Sequence, residues 1–271
     1  MAQQRISIRQ RGVSIAALSL LLFGASFAGP SDSPTPPSSL LSTTDIVQRL
    51  MAANARRADE LRGYRSRRKY KLDYHGVFGG HAEMQVEATY HAPNEKTFKI
   101  LSESGSKLLT RRVLLKLLES EREAQQEQSR KALEISPANY EFSLETIQHT
   151  PAGDLYVLQV KPRNKSKYVY RGKVWVDAAD FAVVRMEGNP AANPSFWVSQ
   201  VEIQYQWEKI GDFWLPVHNH SVTDVRFGGR AVLNIDYSDY EIVSGSQATA
   251  PVSHREKTTL PDPSSLSVQP H

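Results

Sequence analysis

His218, His220 and Asp224 are the residues of this 271-residue chain whose types and spacing come nearest to reaction chemistry. At intervals of two and four they share one register of an extended segment, so three side chains able to ligate a divalent metal would leave the same face. An exported metal-dependent hydrolase is one reading of that trio, and the polar side of an exposed strand is the other. Asp236, Asp239 and Glu241 gather three carboxylates beside Tyr237 and Tyr240. Strand alternation separates Asp236 from the other two, and the three read as surface charges rather than a catalytic carboxylate pair. No Gly-x-Ser-x-Gly elbow, His-Glu-x-x-His helix, phosphate loop or dinucleotide fingerprint occurs. Neither catalysis nor a cofactor is therefore expected.

Between Arg49 and Lys71 nine basic residues stand against two acidic ones. Such a run suits an anionic headgroup or an acidic partner, and equally a solvated helix and strand face. Arg68 is set apart, because it shares a register with Tyr64, Ser66, Tyr70, Leu72 and Tyr74, the drier side of its strand.

The elements around these residues follow from periodicity. Ser42-Thr43-Thr44-Asp45 precedes apolar residues at intervals of three and four from Ile46 to Leu61, a capped amphipathic helix ending at Gly63. Three strands are expected at 64–74, 81–91 and 96–101, the second burying Ala82, Met84, Val86, Ala88 and Tyr90. Leu108 to Leu118 is apolar over more than half a helical circumference, and the charged stretch from Glu119 to Arg130 is expected to be mostly solvated. This helix is placed as a lid over the sheet. From Tyr140 to Val243 short alternating segments are broken by turn signals at 151–154, 177–180, 211–212 and 228–229. In one of them Trp197, Ser199, Val201, Ile203, Tyr205 and Trp207 form the dry register.

The fold class is accordingly α+β: one large curved antiparallel sheet, a half-open barrel of nine to eleven strands, covered by the N-terminal helix and the lid helix. Its dry face needs a cover, either its own helices or a greasy ligand.

The ends carry a different signal. Residues 1–28 combine Arg5, Arg9 and Arg11 with an apolar core from Val13 to Phe23 and a small-residue stretch, the form of a secretory signal peptide cleaved after Ala28. An uncleaved anchor is the alternative. Removal takes three arginines, leaving 30 basic against 29 acidic residues, so the basic balance gives no case for nucleic acid. The chain has no cysteine, which excludes disulfides and acylation as a lipoprotein. Residues 29–40 read as a Pro/Ser-rich linker, 41–243 as one folded domain and 244–271 as a disordered tail.

Several stretches resemble a known family. Tyr90-His91-Ala92-Pro93-Asn94 followed by Phe98 is similar to the LolA-like periplasmic lipoprotein carriers, which share a fold with LolB and with the lipid-sensing domain of RseB, while Lys173 to Asp177 with Phe181 to Arg185, and Lys209 to Pro216, resemble outer-membrane lipoprotein-sorting proteins. The resemblance implies a monomeric periplasmic protein that holds an acyl chain of a lipid or lipoprotein in a cavity, taking it from an inner-membrane donor to an outer-membrane acceptor. It equally implies a sensory module that reads lipid and signals through a protein partner. The cavity lining would be Tyr70, Leu72, Met84, Val86, Phe98, Ile100, Leu114, Leu117, Leu118, Val201, Ile203, Tyr205, Leu215, Val217, Leu233 and Ile235, unless these pack as a closed core. The family's lid-holding arginine falls at Ala92; His91 and Arg68 are the candidate substitutes, the other reading being an exposed strand end for His91 and a side chain snorkelling at the sheet rim for Arg68.

Overall fold

The computed structural model describes residues 41–76, 79–125, 134–166, 168–193, 198–226 and 228–245. The expected signal peptide and linker, and the tail beyond 245, lie outside them. Helix α1 (Thr43–Glu60) starts with the reciprocal cap its sequence encodes: the Asp45 amide donates to Ser42 Oγ at 3.2 Å, and the Ser42 amide donates to the Asp45 carboxylate. It stops short of the expected end. Leu61 has extended backbone and opens strand β1 (Leu61–Gly76), because its side chain is needed in a cluster with Tyr64, Tyr90, Phe213 and Leu215.

Strands β2 (Gly80–His91) and β3 (Glu95–Gly105) follow as a meander. The inserted helix comes next in three pieces: α2 (Lys107–Leu109), a π-helical segment (Thr110–Leu114) and α3 (Leu115–Glu123). Seven strands then complete the sheet: β4 (Tyr140–Thr150), β5 (Gly153–Pro162), β6 (Tyr170–Asp177), β7 (Val183–Pro190), β8 (Val198–Ile210), β9 (Phe213–Val225) and β10 (Gly229–Ser244). All ten form one antiparallel sheet in the order β3-β2-β1-β10-β9-β8-β7-β6-β5-β4. The strand pairing that joins the two halves is β1 with β10, and β3 and β4 are its two edges. This is the architecture the resemblance implied. Gly229 shows why a turn was legible there: its φ is +123°, and a Cβ would lie 1.9 Å from the His75 carbonyl oxygen.

Two helices divide the covered face. Ile46, Val47 and Leu50 of α1 pack on Leu158, Val160, Val174, Val176, Met186, Val201, Ile203 and Tyr205, in the half built from β4 to β8. Arg57 fastens that helix by donating to the carbonyls of Asp180 and Phe181, both at 2.9 Å, in the β6–β7 turn. Asp180 is held in turn by Trp214 Nε1 at 2.9 Å and Lys209 Nζ at 2.7 Å. The lid helix covers the other half, where Leu114, Leu117 and Leu118 meet Tyr70, Leu72, Met84, Val86, Leu233 and Ile235.

Register explains two departures. A bulge between Val198 and Gln200 turns Val198 inward and leaves Ser199 exposed, against the simple alternation expected. A second bulge at Gln206 and Trp207 falls opposite Val217, which is only half-buried and belongs to none of the apolar clusters.

Candidate functional site

Arg68 enters the covered face because β1 alternates without interruption from Arg67 to Gly76. It is 2% exposed, flanked across the sheet by Val86 on β2 and Tyr237 on β10. Its guanidinium carbon lies 5.0 Å from the Tyr237 ring centre and 5.4 Å from that of Phe98, so two aromatic faces accept part of its charge. Lys96, at the start of β3 and opposite Tyr90, brings a second cation, an ammonium, into the same region and is 4% exposed. The counter-charge comes from the lid. Glu121 follows Leu114, Leu117 and Leu118 at helical intervals, shares their inward stripe and is 2% exposed.

The three charges meet closely. Arg68 Nη1 donates to Glu121 Oε2 at 2.7 Å and Oε1 at 3.0 Å, and Lys96 Nζ lies 2.5 Å from Oε1. Burial alone would raise the Glu121 carboxyl, but the attraction of Arg68 and Lys96 outweighs it and holds the group at about 2. Burial would likewise release the Arg68 proton, and the Glu121 carboxylate overcomes it, keeping the guanidinium charged. Burial pushes the Tyr70 hydroxyl up to about 12 and raises that of Tyr237 well above its ordinary value, so both stay neutral. Two cations and one carboxylate therefore leave the cluster with a net charge of +1.

Because the carboxyl's folded pKa is depressed from an ordinary 4.5, its contribution to stability is fully present above that value and is lost as pH falls towards 2. Arg68 keeps its charge throughout, and Tyr70 and Tyr237 do not titrate there. Lid opening is expected in that window, measured as faster amide exchange in 107–123 while α1 stays protected. A second expectation follows from the cost of desolvating three ions. The combined change Arg68→Met, Lys96→Met and Glu121→Leu should leave stability unchanged or raise it by about 1–4 kcal/mol in urea titrations, and should remove the acid response.

The apolar candidates sort into three groups. Tyr70, Leu72, Met84, Val86, Leu114, Leu117, Leu118, Leu233 and Ile235 come together under the lid, with Phe98 packed at their side. Val201, Ile203 and Tyr205 lie under α1, and Leu215 belongs to the small cluster around Tyr90. Ile100 was placed in the lining and is not there: it sits on edge strand β3, 42% exposed and outside the apolar clusters. Met84, Val86, Leu114 and Leu117 have no accessible surface at all, so the lid rests directly on the sheet.

The metal trio resolves as strand polarity. His218 Nδ1 is 2.8 Å from Asp236, His220 Nδ1 is 2.7 Å from Asn234, and Asp224 accepts from Arg230 at 2.8 Å. Among the described residues no three histidines, cysteines or carboxylates form a group that could hold a metal. The basic run is partly paired across strands, as Arg65 with Glu241, Arg67 with Asp239 and Lys69 with Glu83. His91 is an exposed strand end. Sequence reasoning found Arg68 and missed Lys96 and Glu121, although Glu121 stands four residues after Leu117 and three after Leu118.

No family model matches the chain, and no curated protein matches it. Among solved structures it is similar to a domain described as one of outer membrane lipoprotein sorting, from Vibrio parahaemolyticus, at 14% identity over 74% of this chain and 92% of that one, TM-score 0.38. A DUF1329 family protein from Desulfovibrio piger gives 10% identity over 74% and 93%, TM-score 0.39. A LolA superfamily protein from Nitrosomonas europaea gives 14% identity over 75% and 94%, TM-score 0.34. Scores of this size assign nothing to individual residues, and the site is read from its own geometry.

Proposed function

We propose that this chain is an exported binding protein that admits the acyl chain of a lipid or lipoprotein between the lid helix and the β1, β2 and β10 floor, without covalent chemistry. The observation that carries this reading is a contact between helix and sheet that is apolar but for a buried side-chain ion cluster, Arg68–Lys96–Glu121. A helix that served only as permanent cover would need no buried ions at its seam, since apolar residues hold equally well. The π-helical segment from Thr110 to Leu114 adds an irregularity of the kind frequent at functional sites.

Magnitudes favour exchange of lid for ligand. Burying Leu114, Leu117 and Leu118 stabilises the closed state by roughly 5–9 kcal/mol, at about 1.5–3 each. A sixteen-carbon chain leaves water with roughly 12–13 kcal/mol, at about 0.8 per methylene. An entering chain can therefore offset the lid contacts it displaces. The basic, apolar and small-residue order of 1–28 supports export to the periplasm, and the resemblance to LolA-like carriers supports lipoprotein cargo.

The test is mass spectrometry of chloroform extracts from protein purified gently after periplasmic expression. A defined acyl species at near one per chain is expected. Protein that is folded, carries no lipid and takes up none from added micelles would overturn the reading in favour of a closed core.

A further inference from the structure

We propose that Arg68 and Lys96 form a binding site for the anionic headgroup of the cargo, and that Glu121 is its built-in occupant, a carboxylate that the incoming headgroup displaces. This rests on the lipid-binding reading above and names the class of lipid: an acyl chain carrying a carboxylate or a phosphate.

The argument begins with where each charge is rooted. Both cations stand on the sheet, on β1 and β3, while the one carboxylate is carried by the lid. Lifting α3 therefore separates the anion from the cations and leaves two positive charges on the floor without a counter-charge, which a ligand closing over them would bury unpaired unless it is itself an anion. A neutral lipid cannot repair this, whereas an anionic one brings its own counter-charge.

The fit of Glu121 points the same way. Both of its contacts with Arg68 go through Nη1, and Arg68 Nε, fully buried, has no hydrogen-bond partner. The fork of the guanidinium is thus not engaged in the two-pronged manner that a carboxylate or phosphate can adopt. The cluster also keeps its net positive charge with Glu121 in place, so an anion with a second negative charge, such as a phosphate monoester, is better matched than the resident group.

Position completes the case. From Arg68, β1 continues inward through Tyr70 to Leu72, about 13 Å along the strand. That row is bordered by Val86 and Met84 on one side and by Ile235 and Leu233 on the other. A charged end followed by a straight apolar row has the same polarity as a single acyl chain with an acidic head.

Binding to the full chain is to be measured by calorimetry below micellar concentrations with palmitate, monopalmitoyl phosphatidate, methyl palmitate and inorganic phosphate. Palmitate or phosphatidate should bind at least about tenfold tighter than methyl palmitate, and whichever of the two is preferred identifies the headgroup. Glu121→Gln, checked for folding by circular dichroism, should increase that preference, and Lys96→Met should reduce it. Equal binding of methyl palmitate and palmitate to the unaltered protein would overturn the headgroup site while leaving acyl binding intact. Inorganic phosphate binding as tightly as phosphatidate would overturn the coupling of head to chain. Failure of every amphiphile would remove the lipid reading itself. The comparison of palmitate with its methyl ester needs no variant, so a misfolded mutant does not decide the matter.

Discussion

Glu121→Ala is expected to weaken the closed lid by about 3–5 kcal/mol, because it removes the one anion from a seam that still contains Arg68 and Lys96. The loss exceeds that of an ordinary hydrogen bond, since two cations are left desolvated and facing each other. Some of it will be recovered by water entering as the lid swings out, so the effect should appear as opening and not as global unfolding. Native-state hydrogen exchange is the suitable measurement. Amides in 107–123 should lose protection by at least about a hundredfold, the equivalent of roughly 3 kcal/mol, while those of α1 and of β5 to β8 stay as they were. Unchanged lid protection would mean that the leucines alone hold the helix down and that the ion cluster has no fastening role.

Leu117→Arg attacks the same seam from its apolar side. Leu117 is fully buried against the floor residues, so the change forfeits its burial and sets a third cation where no carboxylate is free to meet it. A cost above about 4 kcal/mol is expected, enough to keep the lid open at neutral pH. The exposed floor of Tyr70, Leu72, Met84, Val86 and Ile235 should then bind an apolar dye, and co-purified lipid should be lost because its cover is gone. Circular dichroism should remain close to that of the unaltered chain, as the half of the sheet under α1 uses other residues. Collapse of the whole signal would show instead that the two halves fold only together.

Much of this architecture could be read from the chain because strand periodicity is hard to disguise. The dry registers of β1 and β2, the Ser42 cap and the turn at Gly228-Gly229 were all legible, and Arg68 was found through parity alone. Where reading failed, local composition concealed a longer pattern. Glu121 lies among Glu119, Arg122 and Glu123, and in that company one inward carboxylate looks like solvated charge until it is counted from Leu114 by threes and fours. Lys96 shares its parity with Phe98 and Ile100, but it opens its strand just after a turn, where a lysine reads as a solvated end. Bulges account for Ser199 and Val217, since an inserted residue reverses inside and outside without leaving a mark in composition. Ile100 failed for a different reason: its register is the inward one, but it stands on an edge strand, outside the apolar clusters.

The separate allotment of the covered face to two helices has a consequence for how such a chain can change over time. Residues under α1 and residues beneath the inserted helix belong to separate apolar clusters, and on the proposed reading only the second group answers for what the chain accepts. Substitutions at Arg68, Lys96, Glu121 and their apolar neighbours can therefore accumulate with little penalty to the rest, so that new cargo preferences are within reach of a few mutations on an unaltered frame.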